Sequence, residues 1–579
     1  MNVKRLLVYM KGYGRECVLG PLFKLLEASF ELIVPLIVAA IIDRGILAGD
    51  RGAVIGLVGW LAVLGLVGLV SAVTAQYFAA KAAIGFSTRV RHALMEKIQT
   101  LSFAQIDKMT TSTLVTRMTS DVTQVQTGVN MTLRLLLRSP FVVFGAMVMA
   151  FTIDFGSALI FAAVIAALCV IVFGIMLVTI PMYRNVQGQL DSVTAATREN
   201  LHGVRVIRAF CREGAEEARF EKRNQLLTRL QLAVGRVSGA MNPVTYVVIN
   251  AAVIVLIHTG ALRVEAGSLT QGEVVALYNY MSQILVELVK MANLIILLTK
   301  AAACGERIAK VMDVRPEQLS GDKTPAADAP KGSVVFEDVA FRYGGAGADS
   351  ITGVNLTVQP GQTVGVIGGT GSGKTTLVQL IPRFYDATEG RVLVDGIDVT
   401  QFDTAALRAR IAVVPQKAAL FKGTIRSNLL FGNPGAQESD LYDALSAAQA
   451  LDVVASKEEG LDAPVEQGGR NFSGGQRQRL TIARALVKKP EILILDDSAS
   501  ALDYATDASL RRAIRMMENR PTTFIVSQRA ASVRHADVIL VLDDGEVVGQ
   551  GTHEALLEGC AVYREIYESQ FGGEEAQHG

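Results

Sequence analysis

Neither sign of charge dominates this chain: 56 Lys and Arg stand against 55 Asp and Glu, a net +1 over 579 residues. Without a concentrated basic face, no nucleic-acid partner is expected. Cysteine is scarce and scattered, at Cys17, Cys169, Cys211, Cys304 and Cys560. No two of them form a CxxC or other metal-ligand pair, so buried or neutral thiols in a reducing compartment are expected. The opening residues, MNVKRLLVYMKGYGRE, hold basic side chains but no apolar core followed by a small-residue cleavage site. A cleaved signal peptide is therefore not expected, and the segment reads as an amphipathic stretch on the cytoplasmic face. Short-period repeats and low-complexity tracts are also missing.

Apolar residues are abundant, at 50% of the chain with a mean hydropathy of +0.35. That is high for a wholly soluble protein, and the length suggests more than one domain. The excess lies in the first half, in about six stretches of bilayer-spanning length. They are Gly20–Ile42, Val54–Phe78, Pro140–Phe155, Ala158–Pro181, Val244–Ala261 and Val274–Leu298. Little more than Asp154, Phe155 and Gly156 parts the third from the fourth, which predicts a tight turn. The long connections after the second and fourth stretches are rich in Lys and Arg, including Arg89, Arg91, Arg205 and Arg208. The positive-inside rule places both connections and both termini in the cytoplasm. Arg91–Gln99 and Glu213–Arg229 read as helices that extend the spans.

Polar residues inside spans are functional candidates. Lys24 and Glu27, and likewise Glu287 and Lys290, are spaced to satisfy each other within one helix. Glu31 has no evident companion, Asn293 lies one turn past Lys290, and His258 sits near the outer end of the fifth span. The polar stretch Val314–Gly332 reads as a linker. Beyond it, β-rich runs such as Thr363–Ile367, Ile492–Leu495, Thr523–Val526 and Val538–Leu542 alternate with helical segments, an α/β pattern.

The strongest chemical signal is Gly368-Gly369-Thr370-Gly371-Ser372-Gly373-Lys374-Thr375, between the apolar strand Val364–Ile367 and a helix over Thr376–Leu380. Strand, loop and helix in that order are the setting of a phosphate-binding loop. Glycines let backbone N–H groups turn toward phosphate oxygens, and the helix N-terminus adds partial positive charge. Lys374 is expected to reach the outer phosphates and the Thr375 hydroxyl to bind Mg²⁺. A Gly-rich surface turn would account for the glycines but not for the full spacing and both flanks. Further on, Ile492–Leu495 leads into Asp496 and Asp497. A buried strand ending in a carboxylate suits a Mg²⁺ site beside that loop, although a helix N-cap uses the same arrangement.

Between these motifs lies Asn471-Phe472-Ser473-Gly474-Gly475-Gln476-Arg477-Gln478. This segment resembles the signature of the ATP-binding cassette (ABC) transporters, and nearly the whole chain is similar to their exporter half-transporters. The resemblance implies a six-span α-helical transmembrane domain over 1–313, a linker over 314–332 and an α/β P-loop ATP-binding domain over 333–579. It implies ATP and Mg²⁺ as cofactors, with ATP contacts from Gly368 through Thr376. By the same resemblance, Tyr343 stacks on adenine, although read alone it is a core or turn tyrosine. Thr375, Gln416 and Asp496 would sit around the metal, and Gln416 would relay to the membrane domain. Ser473, Gly474, Gly475 and Gln476 would contact the ATP of a partner chain, and Asp503 would lie on a loop crossing the dimer interface. Glu466 sits where exporters have a segment facing the intracellular loops, and a solvated acidic loop is an equal candidate. The intracellular tips would be Phe103–Lys108 and Arg208–Gly214. The chain would be an integral multi-pass protein of the plasma or inner membrane, with its ATP-binding domain in the cytoplasm.

Two positions depart from the family. Where efficient members carry Glu after the metal-side aspartate, this chain has Asp497, and where they carry His after the next strand it has Gln528. Asp is one methylene shorter than Glu, and a misplacement of ~1 Å can cost about a hundredfold in rate. Gln528 can hydrogen-bond a phosphate but cannot become cationic near neutral pH. The pair predicts a site that holds ATP and turns it over slowly. A second, non-identical half is then expected, with the competent site built from its Glu and His and this chain's Ser473 segment. A slow homodimer and an ATP-binding regulatory or assembly half are the alternatives. Amphiphilic drugs, lipids or peptides are the cargo the family implies, with multidrug export favoured.

Overall fold

Long runs without helix-stopping residues become long helices. The computed structural model describes residues 3–325 and 331–571. After two short turns of helix over Val3–Leu6 and Leu7–Met10, the helical stretches in chain order are α1 (Gly14–Ile46), α2 (Arg51–Gln99), the short α3 (Phe103–Met109), α4 (Thr111–Ile153), α5 (Phe155–Ala209), α6 (Glu213–Glu265) and α7 (Gln271–Met312). All but α3 are long and apolar enough to cross a membrane. Trp60, Leu66, Val70 and Val73 on α2 are exposed, as suits a surface solvated by lipid. The chain divides into two compact units: Met1–Gln99 with Ser112–Val314, and Thr100–Thr111 with Arg315–Gly579.

In the first unit the helices outrun the expected apolar windows. Helix α2 continues past Phe78 to Gln99, and α5 passes through Pro181 to Ala209. Hydropathy marks only the apolar part of a helix, and one proline removes one ladder bond without dissolving the neighbouring turns. Asp154 alone separates α4 from α5, with its carboxylate accepting from the Ser157 N–H at 2.5 Å. The largest correction is at the third span, expected to begin at Pro140, whereas α4 begins at Thr111. Arg138 depresses the hydropathy there, yet it is buried. Its guanidinium donates to Glu287 Oε1 and to Glu31 Oε2, both at 2.5 Å. Ser139 Oγ and Lys290 Nζ also donate to Glu287, at 2.8 and 2.9 Å. Glu31 thus has Arg138 as its companion, and the expected pair of Lys24 with Glu27 forms at 2.5 Å.

The second unit is built on two main sheets. Strands β1 (Val334–Phe341), β2 (Ile351–Val358), β4 (Glu389–Val394) and β5 (Ile397–Asp398) form one, in the order β2-β1-β4-β5. The larger sheet follows the order β12-β11-β3-β10-β9-β6. Its members are β3 (Thr363–Gly368), β6 (Ile411–Val414), β9 (Ile492–Asp496), β10 (Thr522–Val526), β11 (Val538–Asp543) and β12 (Glu546–Gly551). Its inner strands run parallel, and β3, β9 and β10 are buried along their whole length. That is why they read as unbroken apolar runs instead of alternating ones. Around them lie α8 (Lys374–Leu380), α9 (Gly474–Val487), α10 (Tyr504–Arg515), α11 (Ala530–Val533) and α12 (Ala561–Phe571).

Helix α3 belongs to this unit. A Ser102–Gln105 capping box starts it, and Gln105 Nε2 donates to the Arg315 carbonyl at 2.7 Å. The Phe103 ring lies 4.5 Å from Phe384, and Tyr385 donates to Asp107 Oδ2 at 2.7 Å. The stretch expected to be a linker is partly pinned. Gln318 donates to Asp386 at 3.1 Å, and the Gly321 N–H donates to the Phe402 carbonyl, also at 3.1 Å. Its residues 326–330 lie outside the described residues.

Candidate nucleotide site

Parallel pairing sets Gly368, Asp496 and Val526 at one edge of the large sheet. Val526 is in register with both Val366 and Asp496. Ligands of open α/β sheets bind at such carboxyl edges. The chain turns sharply after β3, and α8 begins at Lys374, two residues ahead of the expected start. Gly373 caps it at φ 91, where a Cβ would come within 2.5 Å of the Ser350 carbonyl oxygen. Only glycine fits, which keeps the N-terminal amides of α8 uncovered.

Lys374 is buried within its own loop. Its Nζ donates to the carbonyls of Gly368, at 2.9 Å, and Gly369 and to Ser372 Oγ, at 3.2 Å. Burial pushes its ammonium below the ordinary lysine value, with nearby Asp497 and Asp496 opposing. Thr375 Oγ1 donates to Asp496 Oδ1 at 2.8 Å. Burial raises the Asp496 carboxyl above the usual aspartate value, and the Asp497 charge adds to this against the Thr375 hydrogen bond. Asp497 has a left-handed backbone, φ 47, with its N–H on the Val526 carbonyl. Its Oδ2 accepts from Gln416 Nε2 at 3.2 Å.

A cleft of about 440 Å³ opens over this edge, lined among others by Tyr343, Thr370, Lys374, Gln416, Asp497 and Gln528. Gly371, Gly373, Thr375 and Thr376 line it as well. Tyr343 OH lies 3.1 Å from Thr376 Oγ1, and the Tyr343 ring is edge-on to Phe341 and Tyr385. The structure thus gathers the phosphate-loop residues, Tyr343, Gln416, Asp496, Asp497 and Gln528 in one place. The hard oxygens of Thr375, Gln416 and Asp496 suit a magnesium ion shared with phosphates.

The remaining candidates lie elsewhere. Ser473–Gln476 and Asp503 are not among the described residues lining the cleft. Ser473 caps α9 through a capping box: its Oγ accepts from the Gln476 N–H at 3.3 Å, and Gln476 Oε1 accepts from the Ser473 N–H at 2.9 Å. A Cβ on Gly475 would sit 3.1 Å from the Ala501 carbonyl oxygen, so the start of α9 adjoins the 499–503 loop. Asp503 caps α10, accepting from the Thr506 N–H at 2.8 Å. Glu466 is exposed, and its N–H donates to Asn471.

Comparison with known proteins decides the family. An uncharacterized ABC transporter ATP-binding protein of Mycobacterium tuberculosis is 37% identical over 569 residues, 97% of each chain. This chain belongs to the ABC transporter family. Its residues 17–288 match the family described as the ABC transporter transmembrane region, and residues 351–500 match the one described as ABC transporter. An uncharacterized ABC transporter ATP-binding protein of Bacillus subtilis is 34% identical over 99% of this chain and all of its own, 100%. An ATP-dependent lipid A-core flippase of Chromobacterium violaceum is 29% identical over 99% of this chain and 98% of its own. A solved bacterial Atm1-family ABC exporter with ATP bound shares the fold, at a TM-score of 0.79 and 23% identity over 96% of this chain and 98% of that one. This ABC transporter chain is therefore an integral membrane protein that binds ATP and drives transport with it, and its architecture is that of an exporter half-transporter.

Motif spacing gave no sign of four groups that the folded transporter brings to the site. Asp349, Ser350 and Asp544 line the cleft from the β1–β2 and β11–β12 turns. Phe384 and Tyr385 receive α3, and a pair of aromatics just after α8 was the available signal. Arg529 reaches the 499–502 loop, and Gln570 reaches the backbone beside Gln528. Both depend on chain segments far apart in sequence.

Proposed function

We propose that this chain is one half of a two-chain ATP-driven exporter, holding a slow ATP site of its own and completing a fast site on a non-identical partner. One observation carries the reading. The phosphate cradle is whole, with Lys374 donating to the Gly368 carbonyl and Thr375 to Asp496, while Asp497 and Gln528 line the cleft where efficient relatives have Glu and His.

In this reading residues 1–313 cross the membrane, 314–332 connect, and 333–579 bind nucleotide. Tyr343 stacks on adenine. Gly368–Thr376 cradle the phosphates, with Lys374 on the outer ones. Thr375, Gln416 and Asp496 hold Mg²⁺, which neutralises phosphate charge when bound. Asp497 takes a proton from the attacking water, and its Oδ2 already accepts from Gln416 Nε2. Its short reach and the missing imidazolium slow turnover. Ser473–Gln476 and Asp503, which are not among the described residues lining this cleft, meet the partner's nucleotide and complete its site. The basic connections put the nucleotide-binding part in the cytoplasm. Cargo is amphiphilic: the name of the lipid A-core flippase supports a lipid-like molecule, and a drug or peptide of similar character fits the same description.

A slow homodimer is the second reading. It is favoured by Asp497 keeping a carboxylate 3.2 Å from Gln416 in the cleft, where it can still serve as a weak base. Pull-down of the tagged transporter from native membranes separates the two. A second, unlike ABC half recovered in equal amount supports the heterodimer. Recovery of only untagged copies of this chain would overturn it in favour of the homodimer.

A further inference from the structure

Leaving β10, the backbone runs Ser527-Gln528-Arg529-Ala530 into the short helix α11. The first N–H groups of any helix lack partners within it. The N-cap residue of α11 is Arg529, whose side chain makes no capping bond. The missing acceptor comes from the other end of the unit. Gln570, near the end of α12, accepts the Ala530 N–H on Oε1 at 2.8 Å. The same amide donates from Nε2 to the Gln528 carbonyl, also at 2.8 Å. One side chain thus grips the backbone on both sides of Arg529.

The gripped tripeptide faces two ways. Gln528 lines the nucleotide cleft. The Arg529 guanidinium reaches the carbonyls of Ala499, Ser500 and Leu502 at 3.3–3.4 Å, and it lies 5.3 Å from the Tyr504 ring centroid. That loop leads into Asp503. Helix α12 is a firm mount: Tyr563 is fully buried with its hydroxyl 2.8 Å from His553 Nδ1, and Ile566, Tyr567 and Phe571 pack on the same core.

We propose that Gln570 is a positioning residue, which sets Gln528 in the cleft and Arg529 on the 499–502 loop as one unit. The proposal rests on the assignment of Gln528 to the terminal phosphate. Gln570 itself is exposed, so water can enter where its amide stood, and the melting temperature of each variant checks that the fold survives its loss. Asparagine is a methylene short of bridging them. Glutamate keeps the acceptor but turns a carboxylate oxygen toward the Gln528 carbonyl.

The test uses the full-length transporter with whatever half co-purifies, loaded with a photoreactive ATP analogue that tags the chain holding it. Release of the analogue from this chain is followed during a chase with excess ATP. Gln570→Ala, Gln570→Asn and Gln570→Glu are each expected to speed release about tenfold with the melting temperature unchanged, the scale set by two hydrogen bonds. Gln528→Ala is expected to do the same, and Gln570→Ala added to Gln528→Ala to change nothing further, because both act through one group. Wild-type release from all three Gln570 variants, beside fast release from Gln528→Ala, overturns the clamp alone. Multiplied effects in the double variant show that Gln570 acts by another route and overturn it too. Wild-type release from Gln528→Ala removes the assignment of Gln528 on which the clamp depends.

Discussion

At Asp497 the polypeptide enters the left-handed region, which Asp and Asn tolerate better than most residues. The side chain is thereby held beside Gln416, and its length is all that separates it from the family's glutamate. In the assembled transporter, Asp497→Asn should leave turnover within about twofold, whereas Ser473→Ala should lower it at least about tenfold, because in the proposed reading only the second touches the fast site. Steady-state ATP hydrolysis checks this, and equal losses contradict the assignment. Asp496 titrates in the opposite sense to most folded aspartates. Burial raises its value, so the metal-free protein binds this proton more readily than the unfolded chain does. Its contribution to stability is present at low pH and is lost as pH rises through the raised value. In the proposed reading Mg²⁺ would compete with that proton. The Mg²⁺-dependent part of the thermal shift produced by ATP should therefore shrink as pH falls toward the ordinary aspartate value of about 3.9. A shift independent of pH across that window contradicts it. These residues were legible in the sequence because each belongs to a short contiguous motif. Gln570 was not, since its partners lie 40 and 42 residues away and nothing local marks the contact.

Among the elements, the parallel strands and α8 were readable from apolar runs and the glycine loop, and the long helices only in part. A hydropathy window stops where charge begins, so it lost the polar length of α5 and began the third span after Arg138, whereas the mixed charged and apolar residues of Arg91–Gln99 still marked the far end of α2 as helix. The burial of Arg138 depends on Glu31 from α1 and Glu287 from α7, a three-helix arrangement no window along one segment detects. Removing a buried ion's whole partner costs about 3 kcal/mol, and removing Glu287 leaves Arg138 with Glu31 alone, a part of that cost. Glu287→Ala should accordingly lower the melting temperature of the detergent-solubilised transporter, and adding Arg138→Met should restore part of it. An unchanged melting temperature in the single variant contradicts the network. The aromatic seat of α3 has a different consequence. Phe103→Ala removes the ring packed on Phe384 while leaving the cleft intact. ATP binding should persist, and stimulation of ATP turnover by amphiphilic compounds should fall severalfold, on the scale of the roughly 1–2 kcal/mol lost with a half-exposed ring. Full stimulation in this variant, measured in vesicles, contradicts a coupling role for α3.

At the scale of the whole transporter, the family, the two-part architecture and the ATP site follow from the chain itself, whereas its mate does not. Ser473–Gln476 are not among the described residues lining the cleft, so in the proposed reading a complete site needs two chains. In that reading a site that lacks both the longer base and the imidazole is slow, and pairing with an unlike half repairs only one of two. The most direct measurement is the ATP turnover of this chain purified alone in lipid vesicles, set against that of the complex recovered from native membranes. Turnover at least about a hundredfold slower is expected for the chain alone. Equal, rapid turnover by the chain alone would contradict it.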